Sequence, residues 1–163
     1  MGTPLHLWLT DDGDTSIRGG SEVVGREGSI EVLSVTHGLD APVDHHTGKL
    51  ITTHSHRPLM FEKEIDRSSP LLYQAIVRGD TLRHAVLRWY RTTEAGIEEN
   101  YFTMSMKNVK IASISPKLMN IKEHQYAHRN HFEIVELRYG EITWNYHDGN
   151  LLFADAWRTA RAG

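Results

Sequence analysis

HRPLMFEKEIDRSSPLLYQAIVRGDTLRHAVLRWYRT, His56 to Thr92, is the stretch on which the fold turns. Its centre carries a short helix marked at both ends. Ser69 stands where an N-cap oxygen is wanted, Pro70 takes the first helical position, and Arg78 with Gly79 supplies a C-terminal cation and a left-handed exit. From Pro70 to Arg78 the rod is only about 13 Å long, and helices that short are marginal in water without a partner. Leu72, Ala75 and Ile76 form one stripe, which suits packing on the apolar face of a sheet. The flanking segments supply that sheet. His56 to Ile65 alternates, and after the helix Ala85, Leu87 and Trp89 make an apolar row against His84, Val86, Arg88 and Tyr90.

Working outward, Thr92 to Gly96 is a hairpin-length connection whose glycine suits a bulged turn, so Leu82 to Arg91 should pair antiparallel with Tyr101 to Ile114. Leu5, Leu7 and Leu9 give a first strand ended by the acidic turn Asp11 to Asp14, and Ile30 to Val35 gives another. Phe132 to Tyr139 and Glu141 to Tyr146 meet at Gly140, where a bulge or bend can turn a barrel corner. Leu151, Leu152, Phe153 and Trp157 make a tail that docks on its own core or on a neighbour, and Arg158 to Gly163 reads as frayed. The prediction is a mainly β protein of eight or nine strands. Two antiparallel sheets form a barrel-like sandwich with one short flanking α-helix, Ser69 to Arg78, in a single domain spanning residues 1–163.

At 163 residues with 39% hydrophobic and 24% charged, the chain has room for one core and none for a second domain. A net charge of −3 gives no basic footprint for nucleic acid, and no apolar run is long enough to insert in a bilayer. With no cysteine, stability must come from packing or assembly. The start MGTPLHLWLTDDGD has neither a basic leader nor an apolar run of signal-peptide length, so a cytoplasmic species is expected before any assembly.

Several passages invite chemical readings. Counted from Asp11, a calcium loop would end on Glu22, but Gly13, Thr15 and Ser16 stand at positions three, five and six, so a solvated turn is the plainer reading. Gly19, Gly20, Gly25 and Gly28 fit no phosphate-loop pattern and read as turns. Gly48, His54 and His56 reproduce the opening Gx(5)HxH of a cupin metal motif, in which two histidines two apart on a strand point the same way. Glu62 lies too far along for the motif's carboxylate and no second cupin motif follows, so surface histidines are expected and no metal or cofactor is assigned. His124, His128 and His131 have helical spacing but no apolar stripe, and read as an exposed loop. No cysteine, GxSxG elbow or triad context is present, so no catalytic residue is assigned and an enzyme is not expected.

The opening stretch resembles the heart of the haemolysin-coregulated protein (Hcp) family, the tube subunit of bacterial type VI secretion systems. The resemblance continues in REGSIEVLSVTHG (Arg26 to Gly38), NYFTMSMKNVKIASISP (Asn100 to Pro116), HFEIVELRYGEITWNY (His131 to Tyr146) and DAW (Asp155 to Trp157). It implies six copies in a closed ring and rings stacked into a tube inside a contractile sheath. It also implies a lumen holding secreted effectors, ring faces that meet the spike protein, and export through the apparatus without a signal peptide. The polar passage at about 38–55 matches the family's extended loop, which implies a ring-stacking role for Leu39, Pro42, Asp44, His45, His46, Thr47 and Gly48. A cupin-like metalloenzyme using His54 and His56, and a monomeric barrel binding an apolar ligand, are the other readings. Ser69, Pro70, Leu72, Ala75, Ile76 and Trp89 are expected to pack helix and sheet together.

Overall fold

The computed structural model describes residues 2–51 and 53–157, so Arg158 to Gly163, read above as frayed, lies outside the described residues. The elements in order are β1 (Leu5–Thr10), β2 (Ser16–Ile17), β3 (Ile30–Val32), β4 (Ser34–Thr36), β5 (Leu39–Asp40), β6 (Ser55–His56) and β7 (Leu59–Glu64). Then come α1 (Ser69–Arg78), β8 (Leu82–Thr92), β9 (Glu98–Lys117), a 3-10 turn at His124–Tyr126, β10 (Phe132–Arg138), β11 (Glu141–Tyr146) and β12 (Leu151–Ala156). The strand number exceeds the expected eight or nine because the expected strands at Ile30 to Val35 and His56 to Ile65 are each split in two, and because β2 and β5 are two residues long, too short to show a period of two.

β9, 20 residues long, is shared by both sheets. Along one edge it pairs β8, with Leu82 opposite Val109 and Thr92 opposite Glu98. Along the other it pairs β11 through Phe102 to Lys107 and then β10 through Lys110 to Lys117. The chain crosses from one sheet to the other at the predicted corner. There the Gly140 N–H donates to the carbonyls of Lys107 (2.9 Å) and Asn108 (3.1 Å). Asn108 takes the left-handed φ of 54°, which asparagine tolerates, and a Cβ on residue 140 would come within 3.1 Å of the Asn108 Cβ. All strand pairs are antiparallel, in the order β2-β1-β8-β9-β10-β7-β4, with β3 on β1 and β12 on β11. Residues 30–36 thus touch both ends of that order, which makes the sandwich barrel-like, but Leu33 interrupts the ladder and no closed barrel forms.

Leu7 and Leu9 of β1, Leu87 of β8, Met106 of β9 and Phe61 of β7 face inward and are essentially inaccessible. The helix lays Leu72 and Ala75 on this core, with Ile76 and Trp89 packed at its margin. Its end signals differ in one respect from expectation. Ser68 is the N-cap and makes no side-chain cap, and Ser69 is the first helical residue, ahead of Pro70. The Ser69 hydroxyl donates instead to Glu133 Oε1 (2.7 Å) and accepts from the Asp66 N–H (3.1 Å) and Lys63 Nζ (3.2 Å). Lys63 and Glu133 lie directly opposite each other on β7 and β10, both facing inward, and form a buried ion pair. Burial works against ionisation of Asp66, but the Ser68 hydroxyl and the Lys63 ammonium outweigh it and hold that carboxyl below its ordinary value. At the other end Gly79 takes φ 69°, and the N–H groups of Gly79 and Asp80 cap Ile76 O and Ala75 O.

Candidate functional site

The passage at 38–55 is a hairpin arm rather than an unstructured loop. β5 and β6 pair at its base, Leu39 opposite His56 and Asp40 opposite Ser55, and a bridge joins Val43 to Leu50 farther out. Asp44 builds the tip: its carboxylate accepts from the N–H of His46 (2.7 Å) and Thr47 (3.2 Å), while Gly48 at φ 71° donates back to Asp44 O (2.7 Å). The Ile51 N–H donates to the Pro42 carbonyl (3.0 Å). His45 and His46 are exposed at the tip, and the arm holds Leu50 and Ile51 in solvent at 66% and 68% exposure. That combination gives a backbone-stiffened arm with an apolar flank.

The arm is anchored at its root by a cluster that the sequence does not announce. His56 is buried, contrary to the surface placement expected for it. Its ring lies against Trp144 (6.4 Å, 12°) and Trp157 (5.5 Å, 24°), and Nδ1 meets the Tyr139 hydroxyl at 2.6 Å. That hydroxyl also meets His37 Nε2 at 2.7 Å. On the other side of the ring, His56 Nε2 lies 2.7 Å from Asp155 Oδ2, and His54 Nε2 reaches the same oxygen at 2.5 Å. Burial opposes ionisation of Asp155, yet hydrogen bonds from His56 and His54 outweigh it and hold the carboxyl below its usual range. Burial, helped by the Asp155 charge, pushes the Tyr139 phenol well above its ordinary value, so it keeps its proton. Burial, with His56 and Arg57 nearby, lowers His37. The cluster therefore ties the arm's base to β12 and to the corner after β10.

The second exposed feature is the sheet edge formed by β12. It pairs only with β11 among the described residues, and it carries Leu151, Leu152 and Phe153 at 67%, 61% and 65% exposure. Of the two alternatives for the tail, docking on its own core holds for Trp157, which packs against the cluster, and fails for these three.

A family model described as "Type VI secretion system effector, Hcp" matches residues 7–146. The chain belongs to the Hcp family. A curated relative, the "Major exported protein" of Pseudomonas aeruginosa, is 29% identical with all of both chains covered. The solved Hcp1 protein from E. coli EAEC 042 is 47% identical, with 95% of this chain and 99% of that one superposed at a TM-score of 0.85. The secreted protein Hcp3 from Pseudomonas aeruginosa is 25% identical, over 95% and 100% of the two chains, at a TM-score of 0.75.

On this Hcp fold, the residues singled out in the sequence separate into two regions. Leu39, Pro42, Asp44, His45, His46, Thr47 and Gly48 lie together on the arm, whereas Ser69, Pro70, Leu72, Ala75 and Ile76 lie on α1 and Trp89 on β8. The Trp89 indole N–H is buried without an acceptor among the described residues. Glu62, the carboxylate weighed for a cupin motif, is turned away and paired with Arg129 at 2.9 Å. Among the described residues, His54, His56 and Asp155 form the one group of three side chains placed to share a metal ion, and His124, His128 and His131 do not converge. Asp155 was missed because it lies 99 residues from His56; the signal that could have found it is the inward side of the closing DAW segment. No helix among the described residues is long and apolar enough to cross a membrane.

Proposed function

We propose that this Hcp-family chain is a structural tube subunit of a type VI secretion system: six copies close into a ring, and rings stack into a tube that is expelled with effectors in its lumen. The observation that carries the proposal is the β12 edge. A strand with unpaired backbone groups and three consecutive large apolar residues in water invites a further chain, and a head-to-tail contact of one surface with another closes by rotation into a ring. In this reading the arm contacts the next ring through Leu39 to Gly48 and the adjoining Leu50 and Ile51; its stiffened backbone and exposed apolar flank support the assignment. The spike protein, the contractile sheath and lumenal effectors are its partners in this reading. The chain is cytoplasmic before assembly, leaves through the apparatus, and performs no catalysis.

The test is the assembly state. Light scattering and negative-stain images of purified protein at micromolar concentration should show hexameric rings. The pair Leu151→Lys with Phe153→Lys should give folded monomers, because it places like charges along the proposed joint. A monomeric native protein, or rings that persist in the double variant, would overturn this account.

A further inference from the structure

We propose that His54, His56 and Asp155 form a binding site for one divalent first-row transition metal, with zinc the best match, which clamps the root of the arm to β12. The proposal is independent of ring assembly. Two histidines two apart on extended backbone present their rings to one side. Here His54 sits just before β6 and His56 within it, with ring centroids 5.6 Å apart. Both Nε2 atoms converge on one Asp155 oxygen, and the three ligand atoms lie within 4.8 Å of one another. Two imidazoles and a carboxylate are a borderline nitrogen and oxygen set that suits zinc better than the harder calcium or magnesium.

Metal entry requires the two imidazole–carboxylate contacts to open and the two Nε2 atoms, within 4.8 Å of each other, to settle at the same tetrahedral spacing. With metal–ligand bonds near 2.0–2.2 Å, ligand atoms around a tetrahedral ion sit roughly 3.3 Å apart. The present imidazole–carboxylate distances of 2.5 and 2.7 Å must therefore open by less than about 1 Å. His54 and Asp155 can make that movement, their side chains being 38% and 19% exposed. The same open side admits water as a fourth ligand. His56 cannot move: its side chain is fully buried between two tryptophans, and so it serves as the fixed ligand.

The hydrogen bonds behind His56 fit the same role. Without metal, every contact is satisfied when the Nε2–H groups of both histidines donate to the Asp155 carboxylate, the Tyr139 hydroxyl donates to His56 Nδ1, and its oxygen accepts from the His37 Nε2–H. With metal, each ligating Nε2 must present a lone pair. The proton of neutral His56 then sits on Nδ1 and donates to Tyr139 oxygen, whose own O–H donates to His37 Nε2. The relay closes in either arrangement, so metal entry leaves no buried polar atom unpaired. Metal-bound histidines ordinarily have such a partner on the second ring nitrogen.

The experiment titrates tag-free protein with zinc chloride by calorimetry, counts bound metal after desalting, and repeats the titration with cobalt to read its visible absorption. One zinc per chain is expected, with visible bands from low-symmetry four-coordinate cobalt. At a hundredfold excess of zinc over Kd the midpoint of thermal unfolding should rise by roughly 5–10 °C. Asp155→Asn, which keeps the side-chain shape, and His54→Ala, which removes an exposed ring, should each abolish one-to-one retention while leaving the fold intact. Tyr139→Phe removes no ligand and should weaken zinc about 10–100-fold. His45→Ala with His46→Ala should leave zinc stoichiometry and affinity unchanged. Substoichiometric zinc in the native protein, or one-to-one binding that survives either Asp155→Asn or His54→Ala, would overturn the proposal and leave a purely hydrogen-bonded clamp.

Discussion

Replacing Lys63 by Met should destabilise this protein as much as truncating a large core residue, and the buried ion pair says why. The side chains of Lys63 and Glu133 are 0% and 1% exposed. Lys63 Nζ also donates to Glu64 O (3.0 Å) and Asp66 Oδ1 (3.1 Å), and Asp66 in turn holds the Ser68 N–H (2.8 Å) and the Gly20 N–H (3.0 Å). Methionine fills most of the volume, so the cavity term is small. What remains is a carboxylate left in the core without its cation, for which breaking a buried pair costs about 3–5 kcal/mol. Set against a total stability of about 5–15 kcal/mol for a domain, that is at least about a fifth of the reserve and up to all of it. At fixed protein concentration, urea unfolding should show a correspondingly lower midpoint, and the helix signal should be lost early because Asp66 and Ser69 position the start of α1. The double variant Lys63→Met with Glu133→Leu should recover most of the loss, since an apolar pair of similar volume removes the desolvation cost of both charges. A Lys63→Met penalty under about 1 kcal/mol, or a double variant no better than the single, would refute the reasoning.

Further outcomes follow from other contacts. Burial, then the nearby Arg26, pushes His6 down to about 4, with Glu98 opposing. The unfolded chain therefore takes up a proton near pH 6.5 that the folded chain refuses, and stability present above that pH should fall by about 3 kcal/mol as pH drops to 4. His6→Leu should flatten this limb in a pH series of urea midpoints, and an unchanged limb would contradict it. Gly19→Ala should cost about 1–3 kcal/mol, because a Cβ there meets Ser29 O and Ile30 Cγ1 at 2.6 Å, whereas Gly13→Ala meets only Asp11 at 3.5 Å and should be close to neutral by thermal melting. Replacing Ala41 to Thr52 with a short Gly-Ser linker should preserve rings and melting behaviour, since the arm buries little, while abolishing tube formation in electron micrographs. Tubes formed without the arm, or a failure to make rings, would remove it from the ring-to-ring contact.

Sequence alone determined whatever depends on local chemistry. The period of two in Leu5, Leu7 and Leu9 and in Ala85 and Leu87 fixed which faces are buried. Pro70 and Gly79 marked the ends of α1 to within one residue because both act through their own backbone. Gly140 marked the corner, and the chain-long Hcp pattern gave the family. Tertiary structure alone decided which polar residues face inward. Lys63 and Glu133 follow the inward register of their strands, but a charge is legible as buried only once its partner, 70 positions away in sequence, is known to lie opposite. His56 is the same case: alternation puts it beside His54, while its burial and its shared carboxylate depend on β12 returning from the far end of the chain. Short strands such as β5 and β6 escaped for a related reason, since two residues carry no period and are held only by the pairing that the fold imposes. Local pattern acts through neighbours along the chain, whereas a buried charge or a shared ligand is set by distant residues that only folding brings together.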